Sequence, residues 1–465
     1  MHAELRELLG GDGLLTATED VAPFLVDHRR LYQGRALGVA LPRTVTQVSA
    51  LLAWCNARGI GVVPHGGNTG YCGGATPDES GRQLVVALRR LDRVRALDAA
   101  NFSMTVEAGC LLADVQRTAA EAGRFYPVSL GSEGSCQIGG NLATNAGGLN
   151  VLRFGMTREQ VLGLEVVLAD GRVLDALSGL RKDNTGYDVK SLFIGSEGTL
   201  GIITAATLRL LPPPTAHATA FVAVRDVTAA IELLGRLRAA SGDALSSFEL
   251  IPAIALDLVH RHIPGCNPPL DTASPWYVLC ELASPAAEPL AETLQGALAA
   301  ALDAGAVQDA ALAASERQRQ EFWRLRESIP EAQRLAGPSL KHDISVPVSA
   351  LPDFVARAGE WVRREVPEGV LVGYGHAGDG NLHFNINLID GTADAAAFKA
   401  REPSVRRAIH DLVAQLRGSI SAEHGIGRLK RAELARYADP VELELMRTLK
   451  RALDPNGIMN PGKVL

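Results

Sequence analysis

The spacing of apolar positions changes period several times along the chain, and each change marks an element. Residues 44–58 set Val45, Val48, Leu51, Leu52 and Cys55 at helical spacing, with Thr44 placed to cap the first turn and Gly59 to stop the last. A short strand is expected at 60–63, running straight into PHGGNTGYCGG. Strand-like runs recur at 84–89, 94–98 and 103–107, and a helix is expected at 111–122. VLGLEVVLADGRVLDAL reads as a hairpin turning at Asp170-Gly171. GSEGTLGIIT leads into a strand that stops at Pro212, Pro213 and Pro214. Three residues without an amide N–H cannot continue a strand ladder, so a domain boundary is placed there. From 215 to 375, strands (218–224, 245–251, 276–282, 339–346, 369–375) alternate with alanine- and leucine-rich helices (227–240, 286–303, 315–335, 349–363). From about 421 the chain is mainly helical and closes on ALDPNGIMNPGKVL, a tail suited to lie against another domain. The expected division is 1–214, 215–420 and 421–465.

The chain has 465 residues, enough for roughly three domains at about 150 residues each. Lys plus Arg is 46 and Asp plus Glu is 52, a formal charge of −6 with both signs scattered. That balance argues against nucleic acid or an anionic membrane as the main partner. Glu4, Arg6 and Glu7 interrupt the start where a signal peptide needs an apolar stretch, and no run of about 18 apolar residues follows. A cytoplasmic protein without a transmembrane segment is expected. Cys55, Cys72, Cys110, Cys136, Cys266 and Cys280 lie far apart with no Cys-x-x-Cys pair, so they read as reduced packing residues.

Glycine is the outlier, at 47 residues, and it gathers in three loops beside strands, at 66–74, 131–155 and 195–201. Together these loops offer many backbone N–H groups with little side-chain bulk, which suits a diphosphate. A nicotinamide fold needs strand, Gly-x-Gly-x-x-Gly and helix in that order. The match at Gly373, Gly375 and Gly378 is followed by strand-like LHFNINL, so it reads as chance. PHGGNTGYCGG, PVSLGSEGSCQIGGNLATNAGG, KDNTGYDVKSLFIGSEGTLGIIT and NPGKVL resemble the flavin-binding domain of the vanillyl-alcohol oxidase and p-cresol methylhydroxylase superfamily. The resemblance runs from about residue 35 to the end. It implies an α+β fold: a two-part FAD-binding domain at 1–214, an α/β cap or substrate domain with an antiparallel sheet at 215–420, and a helical C-terminal segment that returns to the FAD domain. By the same resemblance Gly66, Gly67, Asn68, Thr69 and Gly70 wrap the FAD pyrophosphate. Pro127, Gly131, Gly134, Ser135, Gly139, Gly140 and Asn145 line the ribityl chain and ring. Glu197, Gly198, Gly201 and Ile203 support the flavin and adenine end, and Asn460 lies near the ring. Members that tether the flavin from the first loop carry a histidine after the Gly-Gly pair, where this chain has Asn68, so non-covalent FAD is expected.

GYGHAGDGNLHFNINL carries a second signal. Read as a strand, it puts His383, Asn385 and Asn387 on one face and Leu382, Phe384, Ile386 and Leu388 on the other. His376 ends the preceding strand, and the tight loop between lets the two imidazoles converge on one ion. Downstream, SAEHGIGR adds Glu423 and His424. Two histidines and a carboxylate with an open position form a usual catalytic metal set, open to zinc, manganese, cobalt or iron. The HAGDGNLH and EHG pair resembles the metal-dependent D-2-hydroxyacid dehydrogenases, the group that includes D-2-hydroxyglutarate dehydrogenase, D-lactate dehydrogenase and the glycolate oxidase flavin subunit. That resemblance implies His376, His383 and Glu423 as ligands of a divalent metal, zinc by preference, and His424 as the base. Oxidising an alcohol by hydride transfer requires the hydroxyl proton to leave; a bound metal eases that loss, and a neutral imidazole accepts the proton.

By the same resemblance Arg326, Lys341 and Asn385 bind substrate with His424. SLKHDISVP sets Lys341, Asp343 and Ser345 on one face, and lactate-type members typically lack the lysine. A second cation favours a dicarboxylate. Pro330 stands where the dicarboxylate enzyme has a substrate-contacting threonine. The expected reaction is therefore oxidation of D-2-hydroxyglutarate to 2-oxoglutarate, and of D-malate, with a D-lactate dehydrogenase or glycolate oxidase flavin subunit as the alternative. The resemblance admits an electron-transfer flavoprotein as acceptor, with a quinone or cytochrome also open, and a homodimer as the assembly.

Overall fold

A computed structural model of the chain describes residues 1–286, 289–389 and 394–465. These form two compact units: Met1–Gly148, Gly155–Pro213 and Glu423–Leu465 make one, and Leu149–Phe154 with Pro214–Ala422 make the other.

In the first unit the helix Val45–Arg58 forms as its spacing predicts. Thr44 Oγ1 accepts from the Gln47 amide at 3.2 Å, and Gly59 ends the helix at φ 61°, a left-handed conformation that glycine adopts without strain. Its face of Val48, Leu51, Leu52 and Cys55 packs with Val62, Leu84 and Val86. The sheet beneath is mainly parallel, ordered Leu14–Leu15, Gly38–Ala40, Gln83–Ala87, Gly61–His65. Its other face buries Val39, Val63 and Val85 with Val21 and Phe24, so both faces are covered, as a parallel sheet requires. The closing tail extends this sheet: the Val62 amide donates to the Ile458 carbonyl at 2.7 Å and the Asn460 amide to Val62 at 2.8 Å. A second, antiparallel sheet runs Val94–Asp98, Ser103–Glu107, Ile202–Arg209, Val161–Val167, Val173–Ala176, and its last two strands are the hairpin around Asp170-Gly171. The six cysteines are free, five of them buried.

The second unit is built on antiparallel strands. Leu245–Pro252, Trp276–Ser284, Ala216–Val224 and Asp309–Leu312 form one sheet in that order. A second centres on Asn381–Asn387, paired with Val370–Tyr374 on one side and with Ser339–Leu340 and Asp343–Ser345 on the other. A bridge between Leu250 and Gly375 joins the two sheets. The strand expected over 339–346 is interrupted at 341–342 but keeps one register, Leu340 opposite Ile386 and Asp343 opposite His383. The helix expected over 315–335 is two helices, Glu316–Glu327 and Ile329–Ala336, meeting at Ser328. Pro330 explains the break, because it has no N–H to continue the ladder and its ring clashes with the carbonyl four residues back. The helix expected from 286 is described as Leu290–Asp303, and residues 287 and 288 lie outside the described residues. The helix Ala253–His262, buried through Ala255, Leu256, Leu258 and Val259, was not anticipated from the sequence.

Glu281, deep in Trp276–Ser284, accepts from both Arg319 Nε (2.6 Å) and Nη2 (2.8 Å), Trp323 Nε1 (2.9 Å) and Thr219 Oγ1 (2.8 Å). Burial alone would raise its carboxyl, but the donors His217, Arg319 and Trp323 outweigh it and hold it at about 2, against an ordinary 4.5. A depressed carboxyl stabilises the fold fully above its unfolded value and loses that contribution as pH falls through its folded one. Glu281→Gln is therefore expected to cost about 3 kcal/mol or more at pH 7, as breaking a buried pair does. It should also flatten the fall in stability between pH 4.5 and 2; denaturant melts across that range test both.

Candidate active site

The first glycine loop leaves the strand Gly61–His65 with Asn68 at φ 54°. Asn68 Nδ2 donates to the Val26 carbonyl at 2.9 Å, which anchors the bend. The amides of Gly67, Asn68, Thr69 and Gly70 donate to no carbonyl among the described residues. A Cβ on Gly67 would fall 2.1 Å from the Ser135 carbonyl, so the first and second loops touch there and only glycine fits. A Cβ on Gly70, Gly131, Gly134 or Gly140 would meet nothing within 4 Å, and Ser135 is exposed. Pro127 is buried behind them. Gly139 instead packs on Ala108, Gly201 on Val166, Gly198 on Pro64, and Ile203 lies in the core. Asn145 spends its side chain inside the protein, accepting from the Arg158 amide at 3.0 Å.

Glu197 ties the third glycine segment to the end of the chain. Its carboxylate accepts the amides of Ile426 (2.7 Å) and Gly427 (2.8 Å), and its carbonyl accepts Asn460 Nδ2 at 2.8 Å. Burial raises its carboxyl above the usual range against the pull of those amides and Lys430. Asn460 Nδ2 also reaches the Gly74 carbonyl at 3.0 Å, while its Oδ1 and Gln137 Oε1 are buried with no partner among the described residues. Unused amides, open glycine faces and two buried acceptors without partners fit a polyphosphate and a heteroaromatic ring, the two ends of a dinucleotide flavin. The 423–428 segment is fixed against this cradle. Arg428 N–H donates to the Cys72 carbonyl at 2.8 Å, and the His424 ring meets Tyr71 of the first loop edge-on, centroids 4.6 Å apart. Glu423 is its immediate neighbour in the chain.

In the second unit the expected polar face forms. Phe384, Leu382 and Ile386 are fully buried on one side of Asn381–Asn387, and His383 stands on the other between Asp343 and Tyr374, the residues opposite it on the flanking strands. His383 Nδ1 is 3.9 Å from Asp343 Oδ1, and its ring centroid is 5.5 Å from that of His376. His376 is buried, with Nδ1 2.6 Å from Glu249 Oε1. His383 and Asp343 offer an imidazole and a carboxylate close enough to share one divalent ion of zinc type, with the His376 ring beside them. Arg326, on the helix Glu316–Glu327, is buried. Its Nε donates to Glu249 Oε2 at 2.6 Å, and its guanidinium lies 5.0 Å from the Tyr374 ring centroid. Burial would raise the Glu249 carboxyl, but Arg326 and His376 hold it down at about 2.

Asn385 and Asn387 are covered: Asn385 Nδ2 donates to Gln333 Oε1 (3.1 Å) and Gln333 Nε2 to Asn387 Oδ1 (3.0 Å). Lys341 is exposed in the gap between the two short strands, and the shared register sets it opposite Asn385. Glu249, Asp343, Tyr374 and Tyr71 were not singled out as site residues. Two of them left a signal: Asp343 shares a strand face with Lys341, and Glu249 is a charge within the otherwise apolar run PheGluLeuIle.

Residues 36–177 match the family described as FAD binding domain, and residues 213–464 match FAD linked oxidases, C-terminal domain. A Bos taurus protein named mitochondrial D-2-hydroxyglutarate dehydrogenase is 42% identical over 97% of this chain and 81% of its own length. A Xanthomonas citri protein named D-2-hydroxyglutarate dehydrogenase is 39% identical over 97% and 94%. A Schizosaccharomyces pombe relative, 37% identical over 98% and 88%, carries a D-lactate dehydrogenase name. Among solved structures, p-cresol methylhydroxylase superposes with TM-score 0.76 at 17% identity over 99% of this chain and 95% of that one, so it shares the fold. No helix among the described residues is long and apolar enough to cross a membrane. With a cradle of unspent amides in one unit, a histidine-bearing sheet face in the other and family matches over both, the chain belongs to the FAD-linked oxidases.

Proposed function

We propose that this oxidoreductase converts D-2-hydroxyglutarate to 2-oxoglutarate, and D-malate likewise, with non-covalent FAD and a divalent metal, zinc by preference. The observation that carries the reading is the sheet face of the second unit, where His376 and His383 converge and Arg326 and Lys341 supply two cations. The relatives' names support the substrate. When bound, FAD supplies the hydride acceptor and the metal a Lewis acid that polarises the substrate hydroxyl and adjoining carboxylate.

This chain's residues do the rest. His376, His383 and Glu423 hold the metal, with Asp343 a further carboxylate beside His383. His424 takes the hydroxyl proton on an imidazole nitrogen, and the edge of Tyr71 restricts its ring. Arg326 and Lys341 pair with the carboxylates, and Asn385 is a third polar contact. Gly66 to Gly70 donate amides to the pyrophosphate, and Asn68 in place of a tethering histidine supports a non-covalent cofactor. An electron-transfer flavoprotein as acceptor rests on the resemblance alone. Several relatives are named mitochondrial. A D-lactate reading is favoured by the S. pombe relative's name and by Pro330, which offers no hydroxyl to a dicarboxylate.

Anaerobic titration of the metal-replete protein with D-2-hydroxyglutarate, D-malate, D-lactate and glycolate should bleach the flavin band with the dicarboxylates; bleaching by D-lactate or glycolate alone selects the second reading. Lys341→Ala should raise KM for D-2-hydroxyglutarate about 10- to 100-fold, the value of a charge-assisted hydrogen bond, and leave D-lactate turnover little changed. His424→Ala should keep the yellow colour and lower kcat about 10²- to 10⁴-fold; full activity would remove it as base. Chelation should abolish turnover and leave FAD bound, and indifference to a chelator would defeat the metal assignment.

A further inference from the structure

We propose that Glu249 is a positioning residue that holds the metal-binding imidazole of His376 and the substrate-binding guanidinium of Arg326 with the two oxygens of one carboxylate. The inference rests on the roles given above to those two residues, and it adds that metal binding and carboxylate recognition are coupled through a single buried group.

The sequence sets this up through register. Leu250 and Gly375 exchange backbone hydrogen bonds at 2.8 and 3.0 Å, so the residues on either side, Glu249 and His376, stand opposite each other on adjacent strands. Gly375 makes the approach possible: its φ is 145°, and a Cβ there would meet the Asn381 carbonyl at 3.0 Å. Glu249 is 1% exposed between Phe248 and Leu250, where an unpaired carboxylate could not stay ionised. Oε1 takes His376 Nδ1 and Oε2 takes Arg326 Nε, each at 2.6 Å.

Two consequences follow from the chemistry of those contacts. A carboxylate only accepts, so Nδ1 of His376 carries the proton and Nε2 keeps the lone pair for a metal. The same anion fixes Nε of Arg326, so the plane of the guanidinium is set before any substrate carboxylate arrives. A change at Glu249 must therefore loosen both partners at once, whereas a change at Arg326 leaves the His376 contact intact.

The test uses full-length, FAD-loaded protein. Zinc affinity is measured without substrate by competition with a chromogenic chelator, and KM and kcat are measured at saturating zinc. Glu249→Gln should weaken zinc binding about 10- to 100-fold, the usual effect of losing an outer partner of a metal-bound histidine. It should also raise KM for D-2-hydroxyglutarate more than it lowers kcat, with FAD content unchanged. Arg326→Met should raise KM while zinc affinity stays within a few-fold. Glu281→Gln, which removes another buried carboxylate from the neighbouring strand, should lower stability without moving zinc affinity, and so separates positioning from general loosening. If Glu249→Gln does not fold, Glu249→Asp, which keeps the charge but shortens its reach, should show the same paired losses. Zinc affinity within twofold of the unmodified protein in a folded Glu249 variant overturns the inference while His376→Ala still abolishes binding. Zinc binding that neither His376→Ala nor Glu249→Gln alters overturns the metal reading and this inference together.

Discussion

A carboxylate buried in a sheet has to be ringed by donors, because the desolvation of its charge costs several kcal/mol in the absence of a partner (about that order in real proteins). Four glutamates buried in strands meet this constraint, and each unit is organised around how they do so. Glu107 takes Arg93 and Arg95, and Arg95 goes on to Glu165, which also takes Thr204. Glu281 takes Arg319, Trp323 and Thr219. Glu249 reaches across 77 residues to Arg326 and 127 to His376. The donors of each carboxylate come from elements other than its own strand, so each carboxylate selects one packing of those elements over near alternatives in which it would be left unpaired.

Glu197 meets the same problem with a different donor set. Its partners are two backbone amides, supported by the charge of Lys430. Burial then wins and its carboxyl is raised, whereas in Glu249 and Glu281 cations win and the carboxyls are held at about 2. The contrast separates two uses of one side chain. Glu281 and Glu249 keep a charge buried within a strand. Glu197 uses a carboxylate as a template for the loop at 425–427, where Gly425 at φ 71° and Gly427 at φ 50° let the amides turn toward it. His424, next to that loop, inherits its place beside Tyr71 from this arrangement.

What could be read from the sequence follows from the range of the interactions involved. The helix Val45–Arg58 was legible because its cap, apolar stripe and stop are within fifteen residues, and the hairpin at Asp170-Gly171 for the same reason. The polar face of Asn381–Asn387 was legible because strand alternation is local. The covering of Asn385 and Asn387 by Gln333 was not, since it needs a helix more than fifty residues away to be docked first. The burial of Arg326 was not legible, because helical period alone does not say which face meets a sheet. Glu249 carried only the oddity of a charge in an apolar strand; its partners depend on the register with Gly375, which no local pattern specifies.

On the proposed reading, the two substrate cations sit in unlike settings, and that difference bears on how specificity can change. Arg326 is buried and shares Glu249 with a metal ligand, so altering it strands a charge in the core. Lys341 is exposed, in a two-residue gap where the ladder is already interrupted, and the register continues on both sides without it. Replacing Lys341 therefore leaves the strand pairing on both sides in place, and surface changes usually shift stability by no more than about 0.5 kcal/mol. A protein of this architecture can lose its grip on a second carboxylate cheaply while keeping the metal and first-carboxylate apparatus intact. This is the pattern expected if dicarboxylate and monocarboxylate enzymes share one fold and differ at the position of Lys341.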